Sequence, residues 1–300
     1  MQIYRSLIKQ NLSNKGHGVS FVTVMTDWIS SFPLTQHAAK FAKEQICKVI
    51  STGPVPRHIG FIMDGNRRYA RKNKMELKEG HSAGFDSMAK ILETCYDCGV
   101  EAVTVFAFSI ENFSRSRYEV KWLMDLGKAK FKQVIGNGEL CEKYGIRIRI
   151  LGNTSLLPKD LREVLKNAEE MTKNNKRAIL NVCWPYTSRD DMTNAIRKIV
   201  ASGCSSERIT EDTISNNLYS GGLSRMDLLI RTSGVYRLSD FMLWECVYPD
   251  CEIEIVSVLW PEFSPTKMVW ILLKWGFYRT YYGHRMAKLI NIDSEHAKES

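Results

Sequence analysis

The chain has 300 residues, 44% of them hydrophobic and 25% charged, with a formal net charge of +9. That balance excludes a chain disordered by composition and supports one large α/β core with extensions, or two small domains. The basic excess points to anionic partners such as nucleic acid, phosphate-bearing metabolites or an anionic membrane surface, and no run reaches the roughly 18 consecutive apolar residues of a membrane span.

In chain order, residues 1–53 stand apart as an N-terminal extension, 54–284 as the main domain and 285–300 as a polar tail. VSFVTVMTDWISSFPL is apolar but interrupted, and AAKFAKEQICKVI carries helical spacing at Phe41, Ile46 and Ile50. This segment reads either as an amphipathic helix that touches a membrane or partner, or as a helix packed on the main domain. STGPVPRH is a punctuated linker. Short apolar runs then alternate with helical patterns. HIGFIM, EAVTVFAF, IRIRILG, RAILNVCW, MDLLIR and CEIEIVSV are the strand candidates. Between and after them fall helices over 80–99, 119–145, 158–174, 187–202, 210–220, 239–247 and 266–285. Alternating β and α with near-continuous apolar strands predicts an α/β fold: a central, mostly parallel six-stranded sheet flanked by helices. The eight dispersed cysteines read as reduced, buried thiols of a cytosol-facing chain, and no secretory signal precedes them.

Ligands of open parallel sheets bind beyond the C-terminal strand ends. Here those ends carry Asp64-Gly65-Asn66-Arg67-Arg68, then Ser109 to Arg115, then Thr187-Ser188-Arg189, then Arg231-Thr232-Ser233-Gly234 with Arg237, Ser239 and Asp240. Arginine offers a planar, always-charged fork that matches phosphate oxygens, and Ser and Asn add neutral donors. Gly65 permits close backbone approach, and the helix starting in RRYARK favours anions at its N-terminus. A lone Asp64 among cations suits a Mg²⁺ ion held against a diphosphate. No P-loop or dinucleotide fingerprint occurs. Cys95-x-x-Cys98 lacks a second pair and is discounted as a metal site. His81 either orients a phosphate ligand or is a satisfied helix-start histidine, and Ser109-x-x-Asn112 can equally be a helix cap.

Together HIGFIMDGNRRYAR, GHSAGF, FAFSIENFSR, LLIRTSGVYRLSDFMLW and VLWPEF resemble the five signature regions of cis-prenyltransferases, in register over roughly residues 55–280. Arg67, where bacterial members carry Gly, makes the loop similar to that of the eukaryotic, fungal-type dehydrodolichyl diphosphate synthase subunits. The resemblance implies sequential cis condensation of isopentenyl diphosphate onto farnesyl diphosphate, giving the long polyprenyl precursor of dolichol for protein glycosylation. It implies that Asp64 holds Mg²⁺, that Gly65, Asn66, Arg67 and Arg68 cradle the allylic diphosphate with His81 and Arg115 assisting, and that Arg231, Arg237 and Ser239 bind isopentenyl diphosphate. Ser109 and Asn112 would orient groups at the reacting centre. Glu252 aligns with a second metal-linked carboxylate near a subunit interface. The proton acceptor stays open between Asn66 and a diphosphate oxygen.

Two departures follow from the same resemblance. Leu77 stands where bacterial members carry a phosphate-binding Arg. The tail YRTYYGHRMAKLINIDSEHAKES lacks the Arg-x-Gly that completes the site of homomeric members, which implies a Nogo-B-receptor-like second subunit and peripheral attachment at the cytosolic face of the endoplasmic reticulum or a lipid droplet. A non-catalytic partner subunit of the same fold and an unrelated phosphate-ligand binder are the alternatives. Nucleic acid is disfavoured because the aromatics are not interleaved with the basic residues.

Overall fold

The computed structural model describes residues 33–137 and 139–283. The expectations for the interrupted apolar run before residue 33 and for the polar tail lie outside these residues. The chain divides into two units, residues 1–48 and 49–300. Helix α1 (Pro33–Ile50) supplies the described part of the first, and its Phe41 and Ile46 side chains are exposed.

The second unit is built on six parallel strands: β1 (His58–Ile62), β2 (Ala102–Phe106), β3 (Ile146–Leu151), β4 (Ala178–Cys183), β5 (Leu228–Arg231) and β6 (Glu252–Ile255). They lie in the order β3-β4-β2-β1-β5-β6. The continuous apolar runs of β1 and β5 are buried at every position, as strands covered on both faces require. The alternating Ile-Arg-Ile-Arg of β3 and Glu-Ile-Glu-Ile of β6 occupy the two edges. Helices α2 (Asn66–Lys72), α3 (Leu77–Asp97), α4 (Arg117–Asn137), α5 (Glu139–Tyr144), α6 (Lys159–Thr172), α7 (Ser188–Ala201), α8 (Glu211–Asn217), α9 (Leu243–Cys246) and α10 (Pro265–Tyr282) complete the described elements. Thr187, Thr210 and Ser264 cap α7, α8 and α10 through their hydroxyl oxygens. None of the described helices is long and apolar enough to cross a membrane, and five of the eight cysteines are buried as thiols.

The pattern over 119–145 is carried by α4 and α5, with residue 138 between them outside the described residues. One expected helix changes. The expected helix over 239–247 shrinks to α9, because Ser239, Asp240 and Met242 take left-handed backbone with φ of 52°, 57° and 48°. This loop bonds outward instead of continuing a helix. The Asp240 carbonyl accepts from the Ser188 N–H (2.8 Å), and its carboxylate accepts from the Arg189 backbone N–H (3.1 Å) and guanidinium (2.7 Å).

Candidate active site

Beyond Ile62 the chain leaves β1 and turns at once. Gly65 has φ of 116°, and a Cβ there would lie 3.0 Å from the Leu259 Cα, so both conformation and space call for glycine. The Asp64 carbonyl accepts from the Trp260 N–H (3.0 Å) and the Thr232 hydroxyl (2.7 Å), which pins the turn to segments far away in sequence. Asn66 opens α2, and α3 receives it in a notch. A Cβ on Gly80 would lie 2.6 Å from the Asn66 carbonyl, and one on Gly84 would collide with the Asn66 side chain. The Trp260 indole N–H donates to the Gly84 carbonyl at 2.7 Å and closes the notch.

Arg231, the last residue of β5, is buried and reaches the same point. Its Nη2 donates to Asp64 Oδ2 (2.7 Å), and its Nη1 donates to the Arg237 carbonyl (2.5 Å) and Ser239 Oγ (2.8 Å). Arg237 Nε also donates to Ser239 Oγ at 3.3 Å. Arg68 donates to the Ser233 carbonyl and hydroxyl and stands 3.3 Å from Asp64 Oδ2. Asp64 is thus bracketed by two guanidiniums. Burial alone would raise its pKa, but the hydrogen bond and charge of Arg231, with Arg68 and Ser233, outweigh that and hold it below the usual carboxylate range.

At the end of β2, Ser109 and Asn112 cap each other's backbone around a 3₁₀ turn. Ser109 Oγ accepts from the Glu111 N–H (3.1 Å), and Asn112 Oδ1 accepts from the Ser109 N–H (3.2 Å). The capping reading therefore holds for this pair at the edge of the cleft. Arg115 pairs with Glu119 at 2.9 Å. His81 lies against Trp122, and burial with the nearby Arg115 and Arg67 charges pushes its pKa down to about 4. Its ring is neutral at physiological pH.

These groups share one cleft of about 670 Å³ at the C-terminal end of the sheet. Asp64, Asn66, Arg67, His81, Ser109 and Asn112 line it, as do Arg115, Arg231, Arg237 and Ser239. Gly65 and Arg68 stand beside it and shape it. Leu77 begins α3 and is exposed. Beneath this polar mouth the cleft becomes apolar. Phe85 and Met88 of α3 and Leu123, Leu126, Phe131 and Val134 of α4 face Val105, Ile148, Leu180 and Val182 of the sheet. A charged mouth over an apolar channel fits a ligand with an anionic head and a hydrocarbon tail.

Two residues grouped with the site by their sequence position do not reach it. Arg189 instead bridges Asp240 (2.7 Å) and Glu111 (2.9 Å). Glu252 opens β6 opposite Leu228, which pairs with Ile59, whereas Asp64 follows Ile62 at the far end of β1. Within one chain that separates the two carboxylates by more than about 10 Å along the strands, and the expectation for Glu252 is of a role at a subunit interface. Sequence reading missed the Gly80–Gly84 notch and Trp260, although a G-x-x-x-G spacing in a helix was a visible sign of close packing.

The donor set fits Mg²⁺ in one particular way. Among the described residues no group of three His, Cys, Asp or Glu can hold a metal. One half-buried, ionised carboxylate amid arginines matches a cation that takes the rest of its oxygens from phosphate and water. Asn66 Oδ1, His81 Nε2 and Arg231 Nε are buried at this cleft with no partner, so the mouth holds unmet donors and acceptors for a ligand.

The undecaprenyl diphosphate synthase family model matches residues 62–283. A dehydrodolichyl diphosphate synthase complex subunit of Schizosaccharomyces pombe is 43% identical over 255 residues, covering 84% of this chain and 96% of its own. The human subunit of that name is 46% identical over 226 residues, covering 74% of this chain and 67% of its own. In structure, lavandulyl diphosphate synthase from Lavandula x intermedia in complex with dimethylallyl diphosphate is similar with a TM-score of 0.69 at 29% identity, over 74% of this chain and 95% of that one.

Proposed function

This chain belongs to the cis-prenyltransferase family, that of the undecaprenyl diphosphate synthases, and we propose that it is the catalytic subunit of a dehydrodolichyl diphosphate synthase. It joins isopentenyl diphosphate repeatedly, in cis, to a farnesyl diphosphate primer. The observation that carries this reading is the single cleft in which Asp64, Arg231, Arg237 and Ser239 crown an apolar channel.

In each cycle the allylic C–O bond breaks and diphosphate departs with its electron pair, the π pair of isopentenyl diphosphate forms the new C–C bond at its terminal carbon, and one proton leaves C2, whose C–H pair becomes the new C2=C3 double bond. Charge grows on the leaving oxygens, so fixed cations aimed there stabilise the transition state more than the ground state. Arg67 and Arg68, at the start of α2, take the allylic diphosphate with neutral His81 as a hydrogen-bonding group. Arg231, Arg237 and Ser239 take the second diphosphate. Two such anions meet only because the mouth is lined with cations. Asp64 is the residue that would hold Mg²⁺, which when bound supplies Lewis-acid charge to the diphosphate oxygens. Asn66, buried with a free carboxamide oxygen, orients a donor at the reacting centre. The apolar channel below receives the growing hydrocarbon, and holding both reactants supplies the proximity term.

The relatives named as complex subunits support a heteromer, which we take to pair this chain with a Nogo-B-receptor-like subunit, attached peripherally at the cytosolic face of the endoplasmic reticulum. Retention of Asp64 with its arginines favours the catalytic over the non-catalytic role. The test is incorporation of labelled isopentenyl diphosphate with farnesyl diphosphate and Mg²⁺, with and without the partner. Asp64→Ala lowers turnover by at least about 10²-fold while circular dichroism is unchanged. Undiminished turnover overturns the site assignment.

A further inference from the structure

The apolar channel is narrowed by a side chain that the proposed chemistry does not use. Leu180, Val182 and Trp184 alternate onto one face at and just past the end of β4 and line the channel in that order, deepest first. Trp184 is therefore the residue of this row nearest the diphosphate mouth. Its indole spans the gap from the sheet to α4. A Cβ placed on Gly127 would collide with the Trp184 six-membered ring, so glycine at that helical position exists to admit the ring. Phe108 lies on the mouth side with ring centroids 6.5 Å apart, and Phe131, one turn further along α4 than Gly127, lies on the deep side at 6.1 Å. The indole N–H is buried without a partner, so shape alone holds the ring in place.

We infer that Trp184, seated against Gly127, determines product length by narrowing the channel below the mouth. This rests on the prenyl-elongating reading of the cleft. A chain anchored by its diphosphate at the mouth must pass the indole before it reaches Val182 and Leu180. Phe85 and Met88 of α3 and Phe131 and Val134 of α4 line the same cavity as the ring. Removing the ring widens the passage between the mouth and its deep end. Adding a methyl group at Gly127 drives the ring into the remaining passage.

The experiment is the product distribution of the full chain with its partner subunit, resolved by chain length on reversed-phase chromatography, for wild type, Trp184→Ala, Trp184→Phe and Gly127→Ala. Trp184→Ala shifts the distribution to longer chains, Trp184→Phe shifts it less, and Gly127→Ala shifts it to shorter ones. A merely structural role lowers melting temperature and total turnover and leaves the lengths alone. Folded, active Trp184→Ala and Trp184→Phe proteins with the wild-type distribution overturn the inference while the synthase reading stands. A wild-type complex that elongates nothing overturns the reading and the inference together.

Discussion

At the scale of single residues, the mouth works through groups whose charge state is set by their neighbours. His81 is held neutral by burial and by two arginines, with a pKa pushed down to about 4. The pH profile of kcat/KM therefore has no inflection from His81 between pH 5 and 8. An NMR titration of the ring that shows protonation near pH 6.5 would contradict this. Arg231 serves Asp64, the Arg237 carbonyl and Ser239 with one planar fork. Lysine carries the charge but cannot meet three partners in that geometry. Arg231→Lys accordingly loses about 10²-fold in kcat/KM, the scale of one removed oxyanion donor. Steady-state kinetics on isopentenyl diphosphate measure it, and an unchanged kcat/KM refutes the assignment.

At the scale of elements, the site depends on how closely helices approach. The α3 notch at Gly80 and Gly84 is what lets α2 deliver Asn66 to the cleft. Gly84→Ala overpacks that contact and costs about 1–3 kcal/mol of stability. Because the methyl group displaces Asn66, turnover falls further than the loss of folded protein accounts for. Melting temperature and kcat measured on one preparation separate the two.

A second contact joins α7 to α9 beneath the 237–243 loop. Asp191 Oδ1 accepts from the Tyr219 N–H (2.7 Å) and Glu245 Oε1 accepts from the Ser220 hydroxyl (2.5 Å), while the other oxygen of each carboxyl is buried without a partner. Burial, and then the Glu245 charge, push the Asp191 pKa up from 3.8 to about 7, against the lowering effect of the Tyr219 bond. The native state thus keeps a proton that the unfolded chain releases. The contribution of Asp191 to stability is full below pH 4, is lost as pH rises toward 7 and is lower by on the order of 4 kcal/mol above it. Asp191→Asn keeps the acceptor for Tyr219 and flattens this dependence. Its melting temperature exceeds that of wild type at pH 8 and matches it near pH 4, and parallel curves across the range would refute the account.

At the scale of the whole molecule, the parallel sheet assembles the site from four strand ends. Asp64 and Arg231 are 167 residues apart in sequence yet hydrogen-bonded. In the proposed heteromer, activity is low for the chain alone and rises when the partner subunit is added. Full turnover by the purified chain alone, in the labelled isopentenyl diphosphate assay, would remove the partner from the proposal.

The alternation of apolar strands and helical patterns was enough to determine the six-stranded parallel sheet, and strand-end chemistry pointed to Asp64, Arg231, Arg237 and Ser239, which the fold gathers along one cleft, because period and composition are local properties. The tertiary structure alone decided the rest. It set Glu252 at the opposite end of the sheet from Asp64, turned Arg189 away to Asp240, broke the helix expected over 239–247 and laid the Trp184 ring against Gly127. Register, left-handed turns and the meeting of a ring with a missing side chain arise from contacts between distant segments, to which a local pattern is blind. The turn at Asp64-Gly65 is legible as a strand-end loop. Its role as the clamped centre of a cleft exists only once Trp260, Thr232 and Arg231 have closed around it.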